Sequence, residues 1–581
     1  MKIPFRQYWQ LLSQYLKPQW ARALLLGVLL LSGIGLQLLN PQIMRYFIDT
    51  AVAGGAWQSL MNAALIFFGV ALLNQGLSVL NTYFGEYVAW SATNALRLDL
   101  LLHCLKLDQS FHHGHTAGEL LERIDGDVNA LSNFFSRLTV GMLGNILLLL
   151  GVLLLLFRED WRVGVSLSFF ALLALFMMVR IRQIAIVYWK EGREIIAKVY
   201  GFLGEQLTAT EDIRANGARG YAIRGFDLMM QKWYPLRRKA ILAFTALSGT
   251  NIALFALANA LAFGLSAYLW YQNMITIGSV YLIFYYTELL RNPMTQIRDQ
   301  MESLQQAEAS IERIKTLFAT EPKLKDGAGV PLPTGSLSVS LKDVSFGYDE
   351  EERVLHDISF ELAPGRVLGL LGRTGSGKTT MARLLLRLYD PDQGEICLSG
   401  VSLRDAHLNE IRQRVSLVTQ EVQLFKATIR ENLTFFNPAI RDEQIEEVLA
   451  ELGLGTWLAS QPKGLDTMVE AGGSNLSAGQ AQLLAFGRVF LSNPGLVILD
   501  EASSRLDPAT EQLIERAVSK LLSNRSAIII AHHLPTVERA DDILILEDGH
   551  IVEYGARRQL AQDSTSRFYQ LLQSGLEEVL A

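Results

Sequence analysis

The stretch Gly372-Arg373-Thr374-Gly375-Ser376-Gly377-Lys378-Thr379 decides the reading of this chain. It fits G-x-x-x-x-G-K-[ST], a loop whose backbone N–H groups converge on phosphate oxygens. The flanks agree, because the apolar run Val367 to Leu371 predicts a buried strand and Thr380 to Leu388 predicts the start of a helix. In that arrangement the helix N-terminus favours an anion, Lys378 reaches the outer phosphates, and the Thr379 hydroxyl can ligate Mg²⁺. The predicted ligands are therefore ATP and Mg²⁺, held by Gly372 to Thr380.

Working outward, 581 residues exceed one hydrophobic core, and the composition divides near residue 325. Residues 1–320 carry 27 Lys+Arg against 21 Asp+Glu; the remainder carries 25 against 37, giving the overall −6. An acidic balance without a basic tract argues against a nucleic-acid partner. Cys104 and Cys397 lie far apart in different predicted domains, which predicts packing roles and no disulfide framework or zinc site.

The first half holds six apolar stretches: Arg22 to Leu39, Leu60 to Leu80, Leu138 to Phe157, Trp161 to Val179, Ala240 to Trp270 and Ile275 to Leu290. Each is long enough, or nearly so, for a membrane helix of about 20 residues. Ahead of them Phe5 to Leu16 predicts an amphipathic helix on the membrane surface, anchored by Tyr8, Trp9 and Tyr15. The links after the second and fourth spans are long, roughly 55 to 60 residues each, and the second of these is rich in Arg and Lys. By the positive-inside bias these links and the N-terminus face the cytoplasm. Their periodic apolar residues predict that the spanning helices continue beyond the membrane. His112, His113 and His115 complete no metal set, since no Cys or patterned carboxylate joins them. Glu288, in the last span, stands either on a substrate pathway or at the inner membrane edge beside Arg291.

At this point the chain resembles the type I exporter fold of ABC transporters. The residues that carry the resemblance are Phe111, Thr116 to Leu120 and Arg123 to Val128 for a first coupling-helix region, and Thr210 to Gly217 for a second. Pro41, Asp49 and Pro293 also suit that pattern. The implied organisation is an interfacial helix at 1–20, a six-span all-α membrane domain at 21–320 with coupling helices near 111–130 and 208–220, a Gly- and Pro-rich linker at 321–335, and an α/β ABC nucleotide-binding domain at 336–581. The resemblance places Tyr348 where an aromatic stacks on adenine. It places Gln420 where a side-chain oxygen reaches Mg²⁺ or attacking water, and Ser477, Gly479 and Gln480 in the signature that closes over a partner's ATP. The run Leu496 to Leu499 predicts a strand delivering Asp500 to the metal shell. Glu501 follows as the general base that polarises water, and His532, after the run Ala527 to Ala531, as the switch histidine on the γ-phosphate.

The departures from the family pattern are informative. Leu476-Ser477-Ala478-Gly479-Gln480 stands for Leu-Ser-Gly-Gly-Gln, Ala481 and Leu483 replace basic residues, and Arg505 replaces a small residue of the D-loop. These changes are expected on the face offered to a partner, while Lys378, Asp500, Glu501 and His532 are intact. That asymmetry implies a heterodimer with a different half-transporter; drift in a homodimer is the alternative. The implied function is ATP-driven export of a drug-like, lipid or peptide substrate across the plasma membrane, in contact with membrane lipid. A regulatory or channel-gating ABC subunit is the other reading, and the intact catalytic residues argue against it.

Overall fold

The computed structural model describes residues 13–134, 141–349, 352–419, 422–500, 508–531 and 537–574. The chain separates into two compact units, one formed by residues 1–105 and 117–320, the other by 106–116 and 321–581. Within the described residues the first unit is all helical and the second combines helices with sheets.

The helices of the first part include α1 (Trp20–Val52), α2 (Trp57–Lys106), α3 (Gln109–Gly114), α4 (Asp127–Phe134), α5 (Leu143–Glu159), α6 (Trp161–Thr208), α7 (Thr210–Ala215), α8 (Arg219–Tyr271), α9 (Ile277–Leu289) and α10 (Arg291–Ala319), with a short helix Ala117–Leu121 between α3 and α4. Four helical segments, Ser13–Val52, Trp57–Lys106, Trp161–Met178 and Arg219–Tyr271, are long and apolar enough to cross a membrane. The third predicted span begins among residues outside the described set, and its described part is the 17-residue α5. The sixth is the 13-residue α9, which passes through a helical Leu290 into α10. As the periodicity predicts, α2, α6 and α8 run on as single helices of 50, 48 and 53 residues. The short α3 overlaps the start of the first expected coupling region, near 111–130, and α7 lies within the second, near 208–220.

Apolar residues of α5, α6, α8 and α9 build the core of this unit, among them Val152, Leu167, Leu269 and Leu282, all fully buried. Ala171, Ala174, Ala258 and Ala262 sit in the same core, where small side chains let helix backbones approach closely. By contrast Leu65, Phe68 and Leu72 of α2 are exposed, as a lipid-facing helix requires. Polar groups at one end of the bundle tie three helices together. Asp49 of α1 accepts from the Gly278 N–H and the Thr276 hydroxyl at 2.8 Å each, and Arg45 pairs with Glu159 of α5. The Tyr15 hydroxyl donates to Asp99 of α2 at 2.8 Å. Tyr8 and Trp9 lie outside the described residues.

In the second unit, strands β1 (Val339–Gly347), β2 (Arg353–Leu362), β4 (Gln393–Leu398) and β5 (Val401–Ser402) form an antiparallel sheet ordered β2-β1-β4-β5. A six-stranded sheet is ordered β12-β11-β3-β10-β9-β6, from β3 (Val367–Gly372), β6 (Val415–Val418), β9 (Leu496–Asp500), β10 (Ser526–Ile530), β11 (Asp542–Glu547) and β12 (His550–Ala556). A short pair, β7 (Ala427–Thr428) and β8 (Met468–Val469), lies apart. Strands β3, β10 and β9 pair in parallel and are apolar throughout their interiors, as central strands covered on both faces must be. Three helices matter below: α11 (Lys378–Leu385), α12 (Ala478–Ser492) and α13 (Pro508–Leu522).

Candidate active site

Strand β3 is buried along its whole length and delivers the chain into the loop that precedes α11. Gly375 and Gly377 hold φ of +88° and +102°, a region that L side chains rarely adopt, and Gly377 caps α11. Lys378 is 6% exposed. Its ammonium donates to the carbonyls of Gly372 at 2.5 Å and Arg373 at 2.9 Å, so the charge is turned onto the loop. Burial pulls its pKa below the ordinary lysine value, and the Asp500 carboxylate opposes that shift.

Asp500 ends β9 and is paired in register with Ile530 at the end of β10. Burial raises its pKa above the usual carboxylate value, while Lys378 and Arg383 act to lower it. A basic ammonium, a carboxylate and a helix N-terminus thus converge beside a glycine loop. The Ser376 hydroxyl within that loop is buried without a partner. Thr379 is exposed at the start of α11, so its hydroxyl is accessible. This donor set, hard oxygens opposite an anion cradle, fits a triphosphate with Mg²⁺.

Tyr348 lies next to the same helix. Its hydroxyl is 3.1 Å from Thr380 Oγ1 and accepts from Arg383 Nη1 at 2.9 Å, and its ring packs edge-on against Phe346 and Tyr389. The His113 ring of α3 lies 6.4 Å from it, centroid to centroid. Sequence reasoning identified Tyr348 and missed Arg383 and Tyr389, which fix its position. Their signal was helical spacing, since Arg383 stands one turn beyond Thr379 and Thr380.

The signature segment forms the start of α12. Ser477 caps the helix reciprocally: its hydroxyl accepts from Gln480 N–H at 3.2 Å, and Gln480 Oε1 accepts from Ser477 N–H at 3.0 Å. Ala478 is exposed, and Gly479 is buried. Leu483 corrects one expectation. At 1% exposure it belongs to the core of the unit, so its departure from a basic residue does not sit on an exposed face. Arg488, one and a half turns further on, was also missed. It donates to the Asn432 carbonyl at 2.7 Å and to the Gln423 carbonyl at 3.0 Å, bracing the segment that follows position 420.

The structure therefore brings together Gly372 to Thr380, Tyr348 and Asp500. Ser477, Gly479 and Gln480 are placed on α12. Gln420, Glu501 and His532 lie outside the described residues, as do His533 and Arg505.

Comparisons with known proteins agree along the chain. A family profile described as the ABC transporter transmembrane region matches residues 23–294, and one described as ABC transporter matches residues 355–504. An uncharacterised ABC transporter ATP-binding protein of Bacillus subtilis is 31% identical, covering 95% of this chain and 92% of that protein. The ATP-dependent lipid A-core flippase of Chromobacterium violaceum is 29% identical over 97% of each chain. Among solved structures, a bacterial Atm1-family ABC exporter with ATP bound superposes with a TM-score of 0.78, at 24% identity over 95% of this chain and 98% of that one.

Proposed function

The chain belongs to the ABC transporter family, and from that premise we propose a residue-level account of how it drives export. It is a multi-pass half-transporter of the exporter type, coupling ATP hydrolysis to movement of a substrate across a membrane. Half-transporters of this kind work as dimers. The observation that carries the residue assignment is the strand register. Strand β9 ends at Asp500, one residue before Glu501; β10 ends at Ile530, two residues before His532; and Asp500 and Ile530 are paired. In sequence, Glu501 and His532 thus follow the ends of two neighbouring strands, and β10 pairs with β3, which leads into the loop that carries Lys378.

In this reading Lys378 and the loop amides hold the β- and γ-phosphates, replacing the carbonyl contacts that Lys378 makes here. Thr379, Asp500 and Gln420 are the residues that would hold Mg²⁺, which neutralises phosphate charge when bound. Glu501 accepts the proton of the attacking water, and His532 steadies the γ-phosphate. Tyr348 supports the adenine ring. Ser477, Gly479 and Gln480 cap a site on the partner subunit, and ATP-driven closure of the dimer is carried to the spans through α3 and α7.

Two further points belong to this proposal. The partner is a different half-transporter: Ala478, the altered signature residue, is exposed at the tip of α12, whereas the chain's own phosphate loop keeps its full pattern. The membrane is the plasma membrane, with the nucleotide unit in the cytoplasm, supported by the basic links between spans. Glu501→Gln tests the catalytic assignment. ATP binding should persist while turnover falls at least about a hundredfold, as loss of a general base implies; a variant that keeps most of its hydrolysis overturns Glu501 as base.

A further inference from the structure

Helices α8 and α9 meet along a seam with two rungs. Phe263 and Phe284 stack with centroids 4.8 Å apart, and one turn away Asn259 Nδ2 donates to Glu288 Oε1. Asn259 stands 12 residues before the end of α8, and Glu288 is residue 12 of α9. At about 1.5 Å per residue both lie about 17 Å from the turn that joins these helices. In a hydrocarbon core of about 30 Å that is close to the midplane, not the membrane edge.

A carboxylate at that depth is costly unless it is compensated. Here the compensation is incomplete. Arg291 Nη1 is 4.0 Å from Glu288 Oε2, beyond hydrogen-bond reach, and its guanidinium lies over the Phe255 ring. Asn259 Oδ1, beside the same carboxylate, is buried without a donor. Two acceptors therefore stand together where one more positive donor would satisfy both.

The surface around them is aromatic. Tyr281, Tyr285 and Glu288 share one face of α9, with the two rings 6.0 Å apart. That face is open, Tyr285 at 37% and the Glu288 side chain at 36%, whereas Leu282, Ile283, Tyr286 and Leu290 on the other side are buried. A carboxylate set against acyl chains is costly, so this face is built for something other than lipid tails. Aromatic faces beside a carboxylate attract organic cations.

From this arrangement we infer that Glu288, with Asn259, Tyr281 and Tyr285, forms a mid-membrane recognition point for lipophilic cations, and that the exported substrate carries a positive charge on an apolar body. The inference rests on the reading of the chain as an exporter, and it makes Glu288 a specificity determinant. The positive group lies between the tyrosine rings and the carboxylate, and the apolar body of the substrate lies along the tyrosine face of α9.

The test uses two ions of the same shape and opposite charge, tetraphenylphosphonium and tetraphenylborate. Equilibrium binding of each is measured on the full chain in lipid nanodiscs, together with any subunit that co-purifies, after subtracting binding to empty nanodiscs. The wild type should bind the phosphonium at least tenfold more tightly than the borate. Glu288→Gln should abolish that preference, and Glu288→Asp should restore part of it. Equal binding of both ions by the wild type overturns the inference, whether or not the Gln variant folds. A preference that survives in folded Glu288→Gln overturns it as well. ATP hydrolysis on the same sample separates this from the exporter reading. Hydrolysis without charge discrimination removes only the recognition point, and discrimination by a complex that contains the partner half-transporter yet hydrolyses no ATP removes only the exporter function.

Discussion

Ala478 and Gly479 are adjacent residues of the signature with opposite constraints. A Cβ on Gly479 would approach Thr510 Cγ2 at 1.9 Å, and Thr510 belongs to α13 of the same chain. Threonine is β-branched and has two χ1 rotamers open to it in a helix, so relieving the overlap requires Thr510 to leave its present rotamer or α13 to shift. Gly479→Ala should therefore destabilise the chain by about 1–3 kcal/mol, read as a lowered melting temperature of the purified protein. Ala478→Gly meets no such neighbour and should change stability by less than about 1 kcal/mol. An unchanged melting temperature in Gly479→Ala would show that α13 can shift. The sequence reading assigned Gly479 to contact with a partner's ATP, and its packing on Thr510 was invisible there because the two residues are 31 positions apart. The phosphate loop was legible because its chemistry fixes residue types at fixed local spacing. Leu483 was misread for the opposite reason, since family comparison reports which residue is usual and says nothing about whether its side chain is buried.

Among elements, the contact between α4 and α10 encloses a buried charge. Asp127 is 2% exposed and accepts from Ser310 Oγ at 2.9 Å and from Arg313 Nε at 2.8 Å, with a second bond from Arg313 Nη2. Removing the guanidinium leaves a buried carboxylate with only a hydroxyl partner. Arg313→Met should cost about 3 kcal/mol in thermal stability, and adding Asp127→Asn should recover a good part of it, since the buried charge is then gone. A double variant no more stable than Arg313→Met would mean that Arg313 acts through packing of its stem. Helix lengths were largely legible from periodicity: the 3.6-residue pattern does not stop at the bilayer, so α2, α6 and α8 could be expected to run on. The seam between α8 and α9 was not. Glu288 stands three residues from Arg291 in sequence and lies 4.0 Å from it, as that spacing suggests, but its hydrogen bond crosses to Asn259, 29 positions earlier.

For the whole molecule, the open question is one of composition. The chain keeps Lys378 and Asp500 in place and exposes an altered signature residue at Ala478. Purified alone in nanodiscs, it should bind ATP and hydrolyse it at no more than about a tenth of the rate reached with a partner that carries Leu-Ser-Gly-Gly-Gln. Glu501→Gln serves as the zero. Equal rates with and without such a partner would establish a working homodimer and remove the argument from Ala478. Nothing local in a sequence specifies which chain completes a site. Only the uneven quality of the two half-sites points outward.

The long helices have a mechanical consequence. Rods of 48 to 53 residues measure about 75 Å, of which a bilayer core occupies about 30 Å, leaving about 45 Å beyond it. A tilt of about 5° at the membrane then displaces the far end by about 4 Å. Read in reverse, the same rods act as levers with a long outer arm: a small force applied over several ångströms at the tip becomes a larger force over a shorter stroke inside the membrane, where tightly packed side chains must be prised apart.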